Sequence, residues 1–556
     1  MGQLFPQFNE QKWEQVRTHP YFKKHIAQIK ERAEAFLATD PPRMKFSDMH
    51  LFVTTGDRSV SGKVYNEYNA RLEVFFFMYL LEKDEKWIEP LADIMWNICD
   101  FESWSIPAHV KESATPADRH INLDLCSTLT GFSLAEILYF IGDKLPDLVY
   151  RRVHHEIRVR IIDSYKRHNV FWEKITNNWS AVCISAVLGC YLYLDCKEEL
   201  EEQLPFMLET MNCYLRGFEN DGCCTEGYGY WNYGFSHFCI FADMLRSYTD
   251  GKIDLFKEEK AHAVALFQQN VAVNEKECIS FSDGPLHFSP NPWLSHFLKH
   301  EYPDMEIPHF EESNQTSAAL RYVLWQDPDM ESTGFHPASY IYPDSQWFIF
   351  RGEKYTLVAK GGYNQESHNH NDIGSFILSC DGKVSFVDPG SGAYTRQYFD
   401  GATRYQHLVT SSTGHSVPII NGQIQVTGMK KSKVLASAEN YFKFTLDNGY
   451  DIPTLDSLVR TFDCQDDVLI LTDSYVFSEE PESIVERFVS FHQPQVTPEG
   501  IICGTSRLVF DSDVFSVSLK EGIIESQPEK TLYQIDLQVK EPKKETTVSV
   551  SFYSAN

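Results

Sequence analysis

The sequence has no surplus of basic charge: 50 Lys and Arg stand against 78 Asp and Glu, a formal charge of −28. Phosphate backbones and anionic lipid surfaces attract proteins through basic surface, so neither a nucleic acid nor a membrane is expected as a partner. A local basic pocket stays compatible with that average. No CxxC pair occurs among the 13 cysteines, an odd number scattered mostly through apolar segments, as at Cys183, Cys190, Cys239 and Cys380. The adjacent Cys223-Cys224 suits neither a usual disulfide nor a zinc knuckle, and the cysteines read as buried, reduced thiols. Long apolar runs are missing too. Stretches such as Val74–Leu81 are too short to span a bilayer, and the opening Met-Gly-Gln-Leu-Phe-Pro-Gln-Phe-Asn-Glu lacks the basic and apolar regions of a secretory signal. The expectation is a cytoplasmic protein; a periplasmic or secreted one would need a leader that has been removed.

What is present is globular. Hydrophobic residues make up 43% and charged residues 23%, which excludes a disordered, collagen-like or coiled-coil chain. Aromatics are plentiful at 14%, and 556 residues suffice for two to four domains. Up to about residue 325, apolar residues recur at helical spacing, as in Glu73–Lys83, Trp87–Cys99, Asn122–Gly142, Ala181–Tyr193 and Phe235–Ser247. Polar, Gly or Pro stretches separate these segments in the rhythm of stacked helical hairpins. From about residue 346, short alternating runs dominate, such as Trp347–Arg351, Ser375–Ser379, Val468–Val476 and Thr546–Tyr553, punctuated by Asp-Gly and Asn-Gly turns. The fold class is therefore α+β and multidomain: a helical domain over 1–335 and an antiparallel β-sandwich over 336–556, joined through the turn-rich Gln326–Ser345.

Four segments could carry chemistry. The first is Ser367-His368-Asn369-His370-Asn371-Asp372, with two histidines that project the same way if the backbone is extended. Asp388 follows His370 by 18 residues, and His415 follows Asp388 by 27. Two imidazoles and a carboxylate are a ligand set that zinc accepts; the same residues could instead form a hydrogen-bonded turn network beside a sheet. The second is Asn177-Asn178-Trp179, where an Asn ahead of an apolar helix is either an N-cap or a functional amide. The third runs from Asp221 to Gly234 and includes Glu226, Tyr228, Tyr230, Trp231 and Tyr233. Its aromatic faces suit sugar rings, and equally the packed entry of a helix. The fourth, Thr403-Arg404-Tyr405-Gln406-His407, places a cation beside a phenol.

Taken in order, these segments resemble the heparinase II/III-like polysaccharide lyases, which include oligoalginate lyases and exo-acting heparin lyases. The matching blocks are Asn-Asn-Trp, then Asp-Gly…Glu-Gly…Tyr-Trp…Tyr-Gly, then His-Asn-His-Asn-Asp…Gly-Ser-Phe, then Asp-Pro-Gly-Ser-Gly…Tyr, across about residues 100–425. The resemblance implies an incomplete (α/α) toroid followed by antiparallel sheets. It also implies β-elimination at a uronic acid, in which a base takes the C5 proton, an acid protonates the leaving O4, and the product carries a C4–C5 double bond. Because the C5 proton is barely acidic beside an ionised carboxylate, hydrogen-bond donors must neutralise that group. Asn178 and His368 match the family's donors, with Asn177 the neighbouring amide. Tyr233, 55 residues after Asn178, resembles the catalytic tyrosine, and Tyr405 a second tyrosine that serves some relatives as base. Tyr228 and Tyr230 stand close enough in sequence to compete with Tyr233. His370, Asp388 and His415 resemble the ligands of a structural zinc, with His407 competing for the last place.

Some relatives carry a histidine where Asn178 stands, so base duty here would pass to a tyrosine or to His368. Trp179, Glu226, Tyr228, Tyr230 and Trp231 are the expected sugar contacts. Arg119, His120, His109 and Arg404 are candidates for a positive pocket in an otherwise acidic chain. The expected partner is an anionic oligo- or polysaccharide, glycosaminoglycan-like or alginate, and a homodimer is left open. Two other functions compete. A glycoside hydrolase would need paired carboxylates, for which Glu226 with Asp221 or Asp372 is available. A non-catalytic glycan-binding protein would be expected to lack the Asn/Tyr/His set, which is present.

Overall fold

The computed structural model describes Leu4 and residues 8–310, 317–334 and 338–555. The chain divides into two compact units. One holds 1–218, 232–265 and 290–333; the other holds 219–231, 266–289 and 334–556. The expected boundary between 335 and 336 lies outside the described residues.

The first unit is helical, and the segments with helical spacing lie in its helices, among them Ser59–Glu82, Ile88–Cys99, Leu125–Ile141 and Asn178–Tyr193. Asn178–Tyr193 is apolar on every face and is buried on every face. It packs between Leu125–Ile141 and Lys197–Arg216. A Cβ at Gly189 would lie 2.3 Å from the Phe132 ring, so glycine is what lets these helices approach. Asp124 caps Leu125–Ile141, its Oδ1 accepting from Ser127 N at 2.7 Å. By length and composition the stretch Leu125–Lys144 could cross a bilayer, contrary to the expectation that every apolar run is too short. It serves here as a core helix, and its Glu136 pairs with buried Arg321 at 3.0 Å.

The second unit carries three antiparallel sheets among its described residues. The first is a meander of β1 (Tyr340–Tyr342), β2 (Trp347–Arg351), β3 (Tyr355–Lys360), β4 (Phe376–Cys380) and β5 (Lys383–Phe386). An eight-stranded sheet has Val468–Phe477 and Glu545–Ser554 at its centre, and a four-stranded sheet is built on Ile484–Ser490 and Gln527–Val539. Val468–Phe477 alternates between buried and half-buried positions, the period-two signature of a strand with one face on a core. Phe376, Phe386, Phe462, Phe488 and Phe552 fill that core with edge-on ring contacts. The expected succession of a helical half and an antiparallel β half is therefore what the chain forms.

Two features of the sheets position the site. The connection from β3 to β4 runs over residues 361–375, far longer than a hairpin needs, and carries the His-Asn-His-Asn-Asp segment. Arg460, wholly buried in Leu455–Cys464, is ion-paired with Asp473 and Glu486. Its Nη1 donates to the carbonyls of Gly374 and Ser416, both at 2.8 Å. One guanidinium thus ties the end of the 361–375 connection to the residue after His415.

Candidate functional site

In the second unit the site gathers around a residue that no motif singled out, Asp283. It sits in the tight segment Ser282-Asp283-Gly284-Pro285, where Ser282 adopts a left-handed φ of 60°. Two glycines cradle this segment. A Cβ at Gly227 would lie 2.8 Å from Gly284 Cα, and one at Gly390 would lie 2.6 Å from the Gly284 carbonyl oxygen. Ser391 N donates to that same carbonyl at 3.2 Å, which brings the Asp388-Pro389-Gly390-Ser391 turn against it.

Asp283 is buried and accepts from four side chains. His368 Nδ1 donates to Oδ2 at 2.7 Å and His370 Nε2 to Oδ1 at 3.1 Å. The Tyr398 hydroxyl donates to Oδ1, and Arg404 Nη2 lies 3.2 and 3.3 Å from the two oxygens. Burial opposes ionisation of this carboxyl, but the bonds from His368 and His370, with the Arg404 charge, outweigh it and hold Asp283 far below the usual carboxylate range. The two histidines do not lie on extended backbone as the i, i+2 spacing suggests. His368 is in a turn with φ 56°, and the pair converges on opposite oxygens of one carboxylate.

The Tyr230 ring stacks on His368 with centroids 4.2 Å apart, and its hydroxyl shares a 2.8 Å hydrogen bond with that of Tyr394. Tyr230 thus covers an imidazole, where a sugar ring was expected. Tyr228 and Trp231 are buried against one another and against Phe288 and Phe267, so they present no open face. This is a correction to their reading as sugar contacts: both rings pack the core. Burial raises the carboxyl of half-buried Glu226 above the ordinary range. Arg404 is committed to Asp283, to the Asn369 carbonyl and to the Tyr398 carbonyl, so its charge is spent internally. The Tyr405 hydroxyl donates to Asn369 Oδ1 at 2.7 Å, and burial pushes its pKa up despite the adjacent Arg404.

His370, Asp388 and His415 come together, one ligand atom of each lying within 4.8 Å of the others. His407 lies elsewhere, facing Glu525 at 3.4 Å. The donor set fits a zinc ion. His370 Nδ1 is buried with no hydrogen-bond partner among the described residues, while Nε2 is held by Asp283, the outer-shell arrangement that metal-ligating histidines show. His415 Nε2 donates to the Val409 carbonyl at 2.8 Å, leaving Nδ1 facing Asp388 Oδ2 at 3.0 Å. Those two acceptor atoms need a cation between them, either a proton or a metal. Burial lowers the His370 pKa and so favours the neutral ligand form.

In the first unit, Asn177 is the N-cap, its side chain accepting from Trp179 N at 3.1 Å. The capping role expected of an Asn here is therefore filled, and the buried Asn178 amide is not needed for it. Trp179 packs against His109 and Phe171, with centroids 4.6 and 5.0 Å away. His109 Nδ1 is fixed by Asp124 Oδ2 at 2.8 Å. Arg119 faces Glu102 at 3.4 Å and His120 faces Glu156 at 3.5 Å, so both cations have acidic neighbours. Tyr233 stands edge-on to His237 at 5.5 Å, and burial raises its phenol pKa well above the usual value.

Comparison with known proteins bears on this arrangement. Residues 337–493 match the family model for the heparinase II/III-like C-terminal domain. No curated protein matches by sequence. Among solved structures, the chain is similar to the heparan sulfate lyase HepC from Pedobacter heparinus, with TM-score 0.61, 12% identity, and coverage of 98% of this chain and 90% of that one. It is similar to the chondroitin AC lyase of Streptomyces coelicolor A3, with TM-score 0.58, 10% identity, and coverage of 98% and 82%. A Paenibacillus xanthan lyase gives TM-score 0.56 at 8% identity, over 99% of this chain and 60% of that one. Identities this low speak for the fold alone. The chain therefore carries a heparinase II/III-like C-terminal domain on the fold shared by these lyases.

Proposed function

We propose that the protein is a polysaccharide lyase that cleaves a uronate-containing glycan, glycosaminoglycan-like, by β-elimination. The observation that carries this reading is the environment of His368. Within the heparinase II/III-like region, it is held by Asp283, covered by Tyr230 and followed two residues later by a candidate metal ligand. Abstraction of the C5 proton builds negative charge on the uronate carboxylate, and donors aimed there lower the barrier. Asn178 is the donor assigned, whereas His368, its Nδ1 proton engaged by Asp283, offers Nε2 as an acceptor for the C5 proton. Tyr233, its pKa raised by burial, suits protonation of the departing O4. Removal of the C5 proton falls to Tyr233, His368 or Tyr405. Tyr405 would first have to release its bond to Asn369. Zinc held by His370, Asp388 and His415 would cross-link the 361–375 connection to the turns after β5 and before Ile419, a structural contribution.

Hydrolysis is the weaker reading. Of the carboxylates available to partner Glu226, Asp221 accepts from Ser345 N at 2.8 Å and from Asp344 N at 2.9 Å. Asp372 is paired with the buried Lys360 at 2.9 Å. Both are occupied in holding turns. Incubation with heparan sulfate, hyaluronan, chondroitin and alginate oligosaccharides, followed by ultraviolet absorbance, tests the reading. A rise from the conjugated alkene is expected with at least one substrate. New reducing ends without that rise would replace elimination by hydrolysis.

A further inference from the structure

We propose that Asp283 is a positioning residue that sets the proton positions of both His368 and His370, and so ties the candidate metal group to a histidine whose open nitrogen can accept the C5 proton. The part concerning turnover rests on the lyase reading. The part concerning proton positions rests on geometry alone.

An ionised carboxylate only accepts hydrogen bonds. Oδ2 lies 2.7 Å from His368 Nδ1, so that nitrogen carries the proton and Nε2 is the open atom of the neutral ring. Oδ1 lies 3.1 Å from His370 Nε2, which must carry its proton in turn. The remaining nitrogen of His370, Nδ1, is buried without a hydrogen-bond partner among the described residues, and it belongs to the residue grouped with Asp388 and His415. One side chain thus presents a lone pair toward the candidate metal position and frees Nε2 of His368. The left-handed backbone at His368 makes this arrangement dependent on such support, because a non-glycine residue there is intrinsically disfavoured.

The two oxygens are not equivalent. Oδ1 receives His370 Nε2, the Tyr398 hydroxyl and Arg404 Nη2; Oδ2 receives His368 Nδ1 and the longer contact from Arg404. In Asp283→Asn the amide oxygen is held at the Oδ1 position by the larger set of donors, which leaves the NH₂ facing His368 Nδ1. That substitution reverses the His368 tautomer and spares that of His370. Asp283→Ala removes both supports.

The test is ¹⁵N-histidine NMR on the full chain, with His368 identified by difference from His368→Gln, alongside metal content and steady-state kinetics. The wild type is expected to show His368 protonated at Nδ1 with Nε2 bare, its signals being those missing from His368→Gln. Asp283→Asn is expected to move that proton to Nε2, keep wild-type metal content and lower kcat by about 10²- to 10⁴-fold with KM within a few-fold. Asp283→Ala is expected to lose metal as well. A wild-type His368 protonated at Nε2, or Asp283→Asn retaining wild-type kcat on a substrate that yields the alkene, overturns the proposal. Absence of alkene from every substrate with the wild type overturns the lyase reading and leaves the NMR result to decide the proton positions.

Discussion

Tyr233 carries its proposed role in one oxygen atom. Tyr233→Phe removes that atom and keeps the ring against His237, so the melting temperature should stay near that of the wild type. Turnover should fall by about 10²- to 10⁴-fold, the usual weight of a positioned acid or base. Wild-type activity in the alkene assay would sink the assignment. A second residue-scale effect concerns stability. His237, buried with its Nδ1 2.8 Å from Ser185 Oγ, is pushed by desolvation, and secondarily by Arg321, from the usual 6.5 down to about 3. Above pH 6.5 the ring is neutral folded and unfolded, and contributes no pH dependence. Between 6.5 and 3 only the unfolded chain takes up the proton, so stability falls by up to about 1.4 kcal/mol per pH unit from this group. Denaturant unfolding between pH 7 and 4 should therefore show a shallower loss for His237→Gln than for wild type. Parallel curves would remove His237 as a cause. At this scale the sequence was legible where a motif was local. Asn177-Asn178-Trp179 offered a cap or a functional amide, and the structure gives the cap to Asn177. Tyr228 and Trp231 could not be told from exposed rings, because burial depends on Phe288 and Phe267, far along the chain.

At the scale of elements, Arg460 is the decisive side chain. Burying a guanidinium is costly unless it is fully paired, and here two carboxylates and two carbonyls pair it. Arg460→Met leaves Asp473 and Glu486 buried and uncompensated, and should cost about 3–5 kcal/mol. It also frees the carbonyls of Gly374 and Ser416, so metal content should drop in whatever fraction stays folded. Denaturant titration with metal analysis of the same samples checks both, and unchanged metal content would separate Arg460 from the site. The strand carrying Arg460 lies in the region expected to form antiparallel sheets. Its partners were not legible, because an arginine at an inward position of an alternating run looks like an error in the pattern. The 361–375 connection was legible through its histidines, whereas Asp283 stands 85 residues before His368 with no motif to mark it. What signalled that segment was only its turn chemistry, Ser-Asp-Gly-Pro.

For the whole molecule, metal is the main test. If His370, Asp388 and His415 hold zinc, a strong chelator should lower the melting temperature and His370→Ala should lower metal content in parallel, since a ligand bound only by the folded state stabilises it. A loss of about 2 kcal/mol would move the midpoint by roughly 4–8 °C. A protein that purifies without stoichiometric metal and is indifferent to chelator would remove the zinc assignment while leaving the fold untouched.

By itself the sequence determined the succession of helices and antiparallel strands, since periods of 3.6 and 2 are written locally and survive without knowledge of the partner. It marked the 361–375 segment as a candidate for chemistry, because two histidines, two asparagines and an aspartate in five consecutive positions are costly to place for packing alone. Only the tertiary structure decided which carboxylate holds His368, that His415 and not His407 joins His370 and Asp388, and which aromatic rings are core. It also placed 219–231 and 266–289 with the sheets, although both lie within the stretch read as helical. The physical reason is common to all of these: hydrogen bonds, ion pairs and burial are made between residues distant in sequence, and their partners are chosen by packing.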